Sequence, residues 1–181
     1  MKQSSSLFFL NLLLVLNFHR IVVANGDVIT DVCQNASTTP DSMLTYDFCV
    51  SALESNPKSK TSDLFGLAVI SMELCANNAT NLIPYIGKLL EDGKKERLVK
   101  KSLDTCLEVY ADATRCAEDA ITAFKNKDYF DASEQINGAD QYSATCEDVF
   151  DENNLTFPLR KQVDDLRKLV DISLAIIQMV E

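Results

Sequence analysis

The chain has 181 residues, with 17 Lys and Arg against 27 Asp and Glu, one histidine and a formal net charge of −10. Such a balance repels nucleic acid, acidic polysaccharide and anionic membrane and attracts a basic protein partner, solubility alone being the plain alternative. The five glycines (Gly26, Gly66, Gly87, Gly93 and Gly138) stand singly, which excludes a P-loop or a dinucleotide fingerprint.

Residues 1–24 read as a secretory signal. Lys2 precedes the apolar run "LFFLNLLLVL" from Leu7 to Leu16, and Val22, Val23 and Ala24 offer small residues at a signal-peptidase spacing. The run is short for a membrane span and is followed at once by Asn17, His19 and Arg20, so a retained anchor is the weaker alternative. Removing Lys2 and Arg20 leaves 15 basic residues against 27 acidic ones in residues 25–181, a net charge of −12. The mature chain is expected to be exported to the extracellular space or cell wall, with no membrane contact once the signal is gone.

His19 leaves with the signal, so no imidazole remains for a Ser-His-Asp or Cys-His arrangement, or for the usual zinc and di-iron sites. No metal and no cofactor is expected. Paired carboxylates abound, but on so acidic a surface they read as solvated faces rather than as a glycosidase pair, because none sits in an obviously apolar stretch of the sequence that would be expected to raise its pKa.

Residues 25–58 hold two short helical candidates, "DVITDVC" and "SMLTYDFCVSALE", separated by the turn-rich "NASTTPD". They predict a helical hairpin, with "NPKSK" marking its border with residues 59–181. There the periodicity is helical throughout. Residues 61–90 start at the cap candidates Thr61 and Ser62, with Asp63 in the first turn, and repeat Leu64, Leu67, Ser71 and Leu74; Phe65, Ala68, Met72 and Cys75 widen the face. Pro84 is expected to kink or divide this helix. After "EDGKK" a second seam runs Val99, Leu103, Cys106, Tyr110, Ala113, Ala117, Ala120, Phe124. A third, capped by Asp128, runs Tyr129, Ala132, Ile136, Ala139, Ser143, Cys146, Phe150. "DENNLTFP" ends it, and Pro158 opens a fourth with Val163, Leu166, Val170, Ser173, Ile177 and Val180. Four long helices joined by short turns predict an all-α, up-down-up-down four-helix bundle behind an N-terminal hairpin.

Six cysteines in an exported chain read as oxidised staples. Cys33 and Cys49 would close the hairpin, and Cys106 and Cys146 share seam positions on neighbouring antiparallel helices. Cys116 lies ten residues past Cys106, about 80 degrees around the helix. Cys75 and Cys116 either pair with each other or remain buried thiols. A cysteine nucleophile lacks the histidine that would lower its pKa. Three sequons, at Asn35, Asn78 and Asn154, are glycan candidates, the alternative for each being a plain polar residue.

Taken together, "YDFCVSALESNPKSKTSDLFGLAV", "CLEVYADATRCAEDAITAFKNKDYFDA" and "ATCEDVF" resemble the plant invertase and pectin methylesterase inhibitor family over the whole mature chain. The resemblance implies a disulfide-stapled bundle with a hairpin and bonds at Cys33–Cys49 and Cys106–Cys146. It also implies a non-enzymatic role: stoichiometric, 1:1 blockade of a cell-wall carbohydrate enzyme. Cys75 and Cys116 fall outside the family's four-cysteine framework. Invertase inhibitors resemble one another in a Pro-Lys-Phe element inserted into the enzyme's active site. Here the corresponding "KDYFDA", Lys127 to Ala132, looks more like the Asp-Tyr form of pectin methylesterase inhibitors, and this favours pectin methylesterase over acid invertase. The chain also resembles a branch, named for invertase inhibition, that includes pollen allergens.

A small-ligand carrier is the rival of another class, because exported helical chains with six cysteines include insect odorant-binding proteins. Those carry a Cys-x-x-x-Cys pair, whereas the gaps here are 15, 25, 30, 9 and 29 residues. Helical cytokines use long crossovers where this chain has short turns. The candidate partner contacts are Glu147, Asp148, Asp151 and Glu152 at the end of the third helix, taken with Asp128 and Tyr129. Carboxylates at a helix C-terminus oppose the macrodipole, so either the helix frays into "DENNLT" or the acidic end faces a basic rim on the enzyme.

Overall fold

The computed structural model describes residues 28–38, 43–91 and 96–181. The signal read at residues 1–24, part of the "NASTTPD" turn and residues 92–95 of "EDGKK" lie outside the described residues. Helix α1 covers residues 28–36, and α2 covers Tyr46–Glu54. The second begins later than the "SMLTYDF" pattern suggests, because Thr45 takes the N-cap: its Oγ1 accepts from the amide of Phe48 at 3.3 Å. A disulfide between Cys33 and Cys49, with Cα atoms 5.5 Å apart, ties the two together.

"NPKSK" folds into a 3-10 turn, Pro57–Thr61, with Asn56 accepting from the amide of Lys58 and the buried Ser59 hydroxyl donating to the Leu53 carbonyl at 2.6 Å. This turn absorbs Thr61, and Ser62 follows it, so neither of these expected caps starts α3. Asp63 does: its carboxylate accepts from the amide of Gly66 at 2.8 Å, and α3 runs Leu64–Glu91. A Cβ on Gly66 would stand 3.0 Å from the Cβ of Ser62, so the approach of turn to helix depends on glycine there.

Pro84 does not divide α3. It removes one amide donor, while Leu82 and Ile86 on either side are both buried and hold the helix to the core. The remaining helices are α4 (Arg97–Lys125), α5 (Tyr129–Asp151) and α6 (Arg160–Val180). Pro158 precedes α6 by two residues instead of opening it, and Leu159 is the capping position, without a side-chain hydrogen bond.

Each of the four long helices packs on its chain neighbour and α6 returns to α3, which closes an up-down-up-down bundle, with α2 laid against α3 and α6. The seams fall where the periodicity places them: Leu103, Cys106, Tyr110, Ala113, Ala117, Ala120 and Phe124 of α4 are buried, as are Ala132, Ile136, Ala139, Ser143, Cys146 and Phe150 of α5. The alanines bring α4 and α5 close, and the Cys106–Cys146 disulfide, with Cα atoms 4.8 Å apart, bonds the two seams directly. Cys146 is thus a staple.

Candidate docking surface

Helices α4 and α5 meet in a turn only three residues long. Lys127 adopts a left-handed φ of 64°, its amide donating to the Phe124 carbonyl at 2.9 Å while the Asp128 amide donates to Ala123 at 3.0 Å. These two bonds form a Schellman C-cap with lysine where glycine is usual, a conformation that costs roughly 1–2 kcal/mol for a residue with a Cβ. Asp128 closes α4 and also starts α5, its carboxylate accepting from the amide of Asp131 at 3.1 Å. Tyr129 packs inward on Phe124, ring centroids 5.3 Å apart, and Phe124 on Phe65 at 4.7 Å. The next position is turned about 100° around the helix, and Phe130 accordingly points out and is 76% exposed.

Helix α5 carries six carboxylates, Asp131, Glu134, Asp140, Glu147, Asp148 and Asp151, and no basic residue at all. Two of them are held by α6. Glu147 is only 8% exposed, ion-paired with Arg160 and accepting from Arg167 at 3.1 Å. Asp140 stands 3.5 Å from Arg167, and burial pushes its carboxyl pKa up while that guanidinium pulls it back. Asp148, Asp151 and Glu152 are exposed.

The helix does not fray into "DENNLT". Asn154 takes a left-handed φ of 53°, its amide donating to Asp151 at 3.0 Å and the Leu155 amide to Phe150 at 2.9 Å, a second Schellman cap. Phe157 packs on Phe150 at 5.4 Å and lies under the Arg160 guanidinium, so the end is ordered by contacts on both sides. The six expected contact residues do not form one patch. Asp128 and Tyr129 sit at the start of α5, and Glu147, Asp148, Asp151 and Glu152 at its end, about 33 Å away at 1.5 Å per residue.

Cys75 and Cys116 are both unbonded. Cys75 is buried against the hydroxyl of Ser173 at 3.6 Å, and desolvation pushes its thiol up to about 12. Cys116 is half-buried against Gly138, whose added Cβ would lie 3.3 Å from the sulfur, and burial raises its pKa also. Asn35 and Asn154 are exposed; Asn78 lies inside α3 with its carbonyl oxygen buried and without a hydrogen bond. No group of three His, Cys, Asp or Glu among the described residues is placed to hold a metal ion, and none of their helices is long and apolar enough to cross a membrane.

Sequence reasoning missed Phe130, Arg160 and Arg167. The burial of Glu147 between these two arginines did leave a signal, since Glu147 stands four residues after Ser143 and three before Phe150, both on the buried stripe.

The molecule is a disulfide-stapled helical bundle that carries an exposed turn and an acidic helix on its surface. The family model for plant invertase/pectin methylesterase inhibitors matches residues 27–176, and the chain belongs to that family of enzyme inhibitors. It is 39% identical to the "Putative invertase inhibitor" of Platanus acerifolia, the match covering 99% of each chain. It is 30% identical to the "Pectinesterase inhibitor" of Actinidia deliciosa, over 95% of this chain and 92% of that one. Its fold matches a crystal structure of a mutant pectin methylesterase inhibitor from Arabidopsis with a TM-score of 0.66 at 21% identity, over 80% of this chain and 96% of that one. The chain is therefore a proteinaceous inhibitor of the invertase or pectin methylesterase class.

Proposed function

We propose that the exported chain blocks a cell-wall pectin methylesterase by 1:1 non-covalent binding. De-esterifying pectin uncovers a carboxylate at each step, so the enzyme's cleft has to accommodate a growing polyanion. A helix with six carboxylates and no basic residue stays acidic even with Asp140 and Glu147 paired to arginines of α6; that matches the electrostatic demand, and this is the observation that carries the reading. Exposed Asp148, Asp151 and Glu152 steer the encounter, while the exposed Phe130 ring, on a turn braced by Tyr129 and capped by Asp128, supplies a desolvated anchor.

The test adds the purified protein to a pectin methylesterase and, separately, to an acid invertase. Loss of esterase activity proportional to inhibitor up to one equivalent, with invertase untouched, is expected. Loss of invertase activity alone overturns the choice of target.

Acid invertase is the second reading. It is favoured by the name of the Platanus relative, and Lys127 stands exposed on the turn between α4 and α5. A glycosidase centre is built around a carboxylate pair, which an ammonium at the tip would meet. Lys127→Ala therefore weakens inhibition strongly under this reading and little under the first.

A further inference from the structure

The three sequons are alike in sequence and unlike in place. Asn78 lies mid-helix in α3, at the groove where Phe48, Ser51 and Ser55 of the hairpin approach Leu74 and Leu169. Its side-chain oxygen is shut away from solvent without a partner, and the sequon hydroxyl, Thr80, is committed to the Ala76 carbonyl at 2.8 Å. A glycan on that carboxamide would have to be accommodated in the groove between α3 and α2.

Asn154 is the reverse case. It is exposed, it ends α5 in a left-handed backbone conformation, and Thr156, the sequon hydroxyl, is exposed as well. Its amide and that of Leu155 are both used by the helix cap, so the backbone around the acceptor is fixed by bonds that leave the carboxamide free.

We infer that Asn154 carries an N-linked glycan in the exported protein and that Asn78 carries none. In the transfer, Nδ2 of Asn154 bonds to the anomeric carbon of a dolichol-diphosphate-linked oligosaccharide. The bond from that carbon to the diphosphate oxygen breaks with its electron pair on the diphosphate, and Nδ2 loses one proton to a base of the transferase. The glycan lies at the far end of α5, beside Asp148, Asp151 and Glu152, whose charges act at a distance, and about 33 Å from the start of the helix, so it leaves the Phe130 turn clear. The inference rests on export and is independent of which enzyme is inhibited.

The full chain, with its own leader, is produced in a eukaryotic secretory host, and glycopeptides are mapped after enzymatic release in heavy-oxygen water. Heavy-oxygen label at Asn154 and none at Asn78 is expected, with Asn154→Gln removing one glycan from the intact mass and Asn78→Gln removing none. A secreted chain with Asn154 bare, or with a glycan at Asn78, overturns the inference while leaving export standing. A chain retained in the cytosol with Asn154 bare overturns both.

Discussion

Asp140 is a carboxylate on α5 whose protonation is coupled to folding by burial. It is half-buried, accepts weakly from the Ser143 hydroxyl at 3.4 Å, and shares Arg167 with Glu147 and Asp164. Burial raises its folded pKa above the unfolded value, and Arg167 offsets only part of that; Asp171 adds to the rise. The native state therefore holds this proton more tightly than the unfolded state, so stability falls as pH climbs through the folded pKa. Asp140→Asn is expected to raise the urea midpoint at pH 7, and the gain should shrink as pH drops into the carboxylate range, where the parent is itself neutral. Denaturation at a series of pH values checks this. Phe130 is the opposite kind of residue, large and 76% exposed. Phe130→Ser should change stability by no more than about 0.5 kcal/mol. As an interface anchor its loss should weaken inhibition by about 2 kcal/mol, roughly 30-fold, measured as an inhibition constant beside a thermal melt.

At the level of elements, α4 and α5 form the most constrained pair. Their seams are bonded at Cys106–Cys146, enclosing a separation of 40 residues, for which the chain-entropy model gives about 4 kcal/mol; the hairpin bond, with a separation of 16, gives about 3 kcal/mol. Replacing Cys106 and Cys146 together by serine should lower the unfolding free energy by about that larger amount, read from denaturant curves. A free thiol recovered at Cys146 from non-reduced native protein would refute the assignment directly. The far end of α5 is held differently, by the Schellman cap at Asn154 and the two arginines on Glu147. Carboxylates at a helix C-terminus are ordinarily unfavourable. Here the buried one faces two cations, and the others project into water, where the field of the helix is screened.

Across the whole molecule, charge is unevenly divided: α5 is wholly acidic, while α6 supplies Arg160 and Arg167 to neutralise its inward carboxylates. What remains uncompensated faces solvent. Steering by such a surface acts within roughly a Debye length, about 10 Å at 0.1 M salt. Inhibition should therefore set in more slowly as salt rises. Replacing Asp148, Asp151 and Glu152 by their amides should slow association at low salt and flatten the salt dependence, with the dissociation rate unchanged. Glu147 has to stay out of that variant, since its loss would leave Arg160 and Arg167 without the carboxylate between them. Association kinetics at several salt concentrations decide the matter; equal rates for parent and variant at low salt would mean that the contact lies elsewhere.

Helix identity and phase were settled by the sequence itself, because a 3.6-residue period is a local property and Leu103 to Phe124 or Ala132 to Phe150 repeat it without a break. The same phase put Cys106 and Cys146 on facing seams, so their bond was legible before any coordinates. The approximate starts were legible too, but not the capping residue: Thr61, Ser62 and Asp63 are all good caps, and the turn at Pro57–Thr61 decided for Asp63 by absorbing the first. Other features depended on neighbours from distant parts of the chain. Cys75 meets Ser173 of α6 and Cys116 meets Gly138 of α5, so the two thiols face different helices and cannot pair. Glu147 and Asp148 are adjacent and chemically alike, yet one lies between Arg160 and Arg167 and the other in water. Tyr129 turns inward because Phe124, itself backed by Phe65, offers it a surface, which sends Phe130 out. Periodicity says which face of a helix is buried; only the packed bundle says what that face, and the side chains at its edge, will touch.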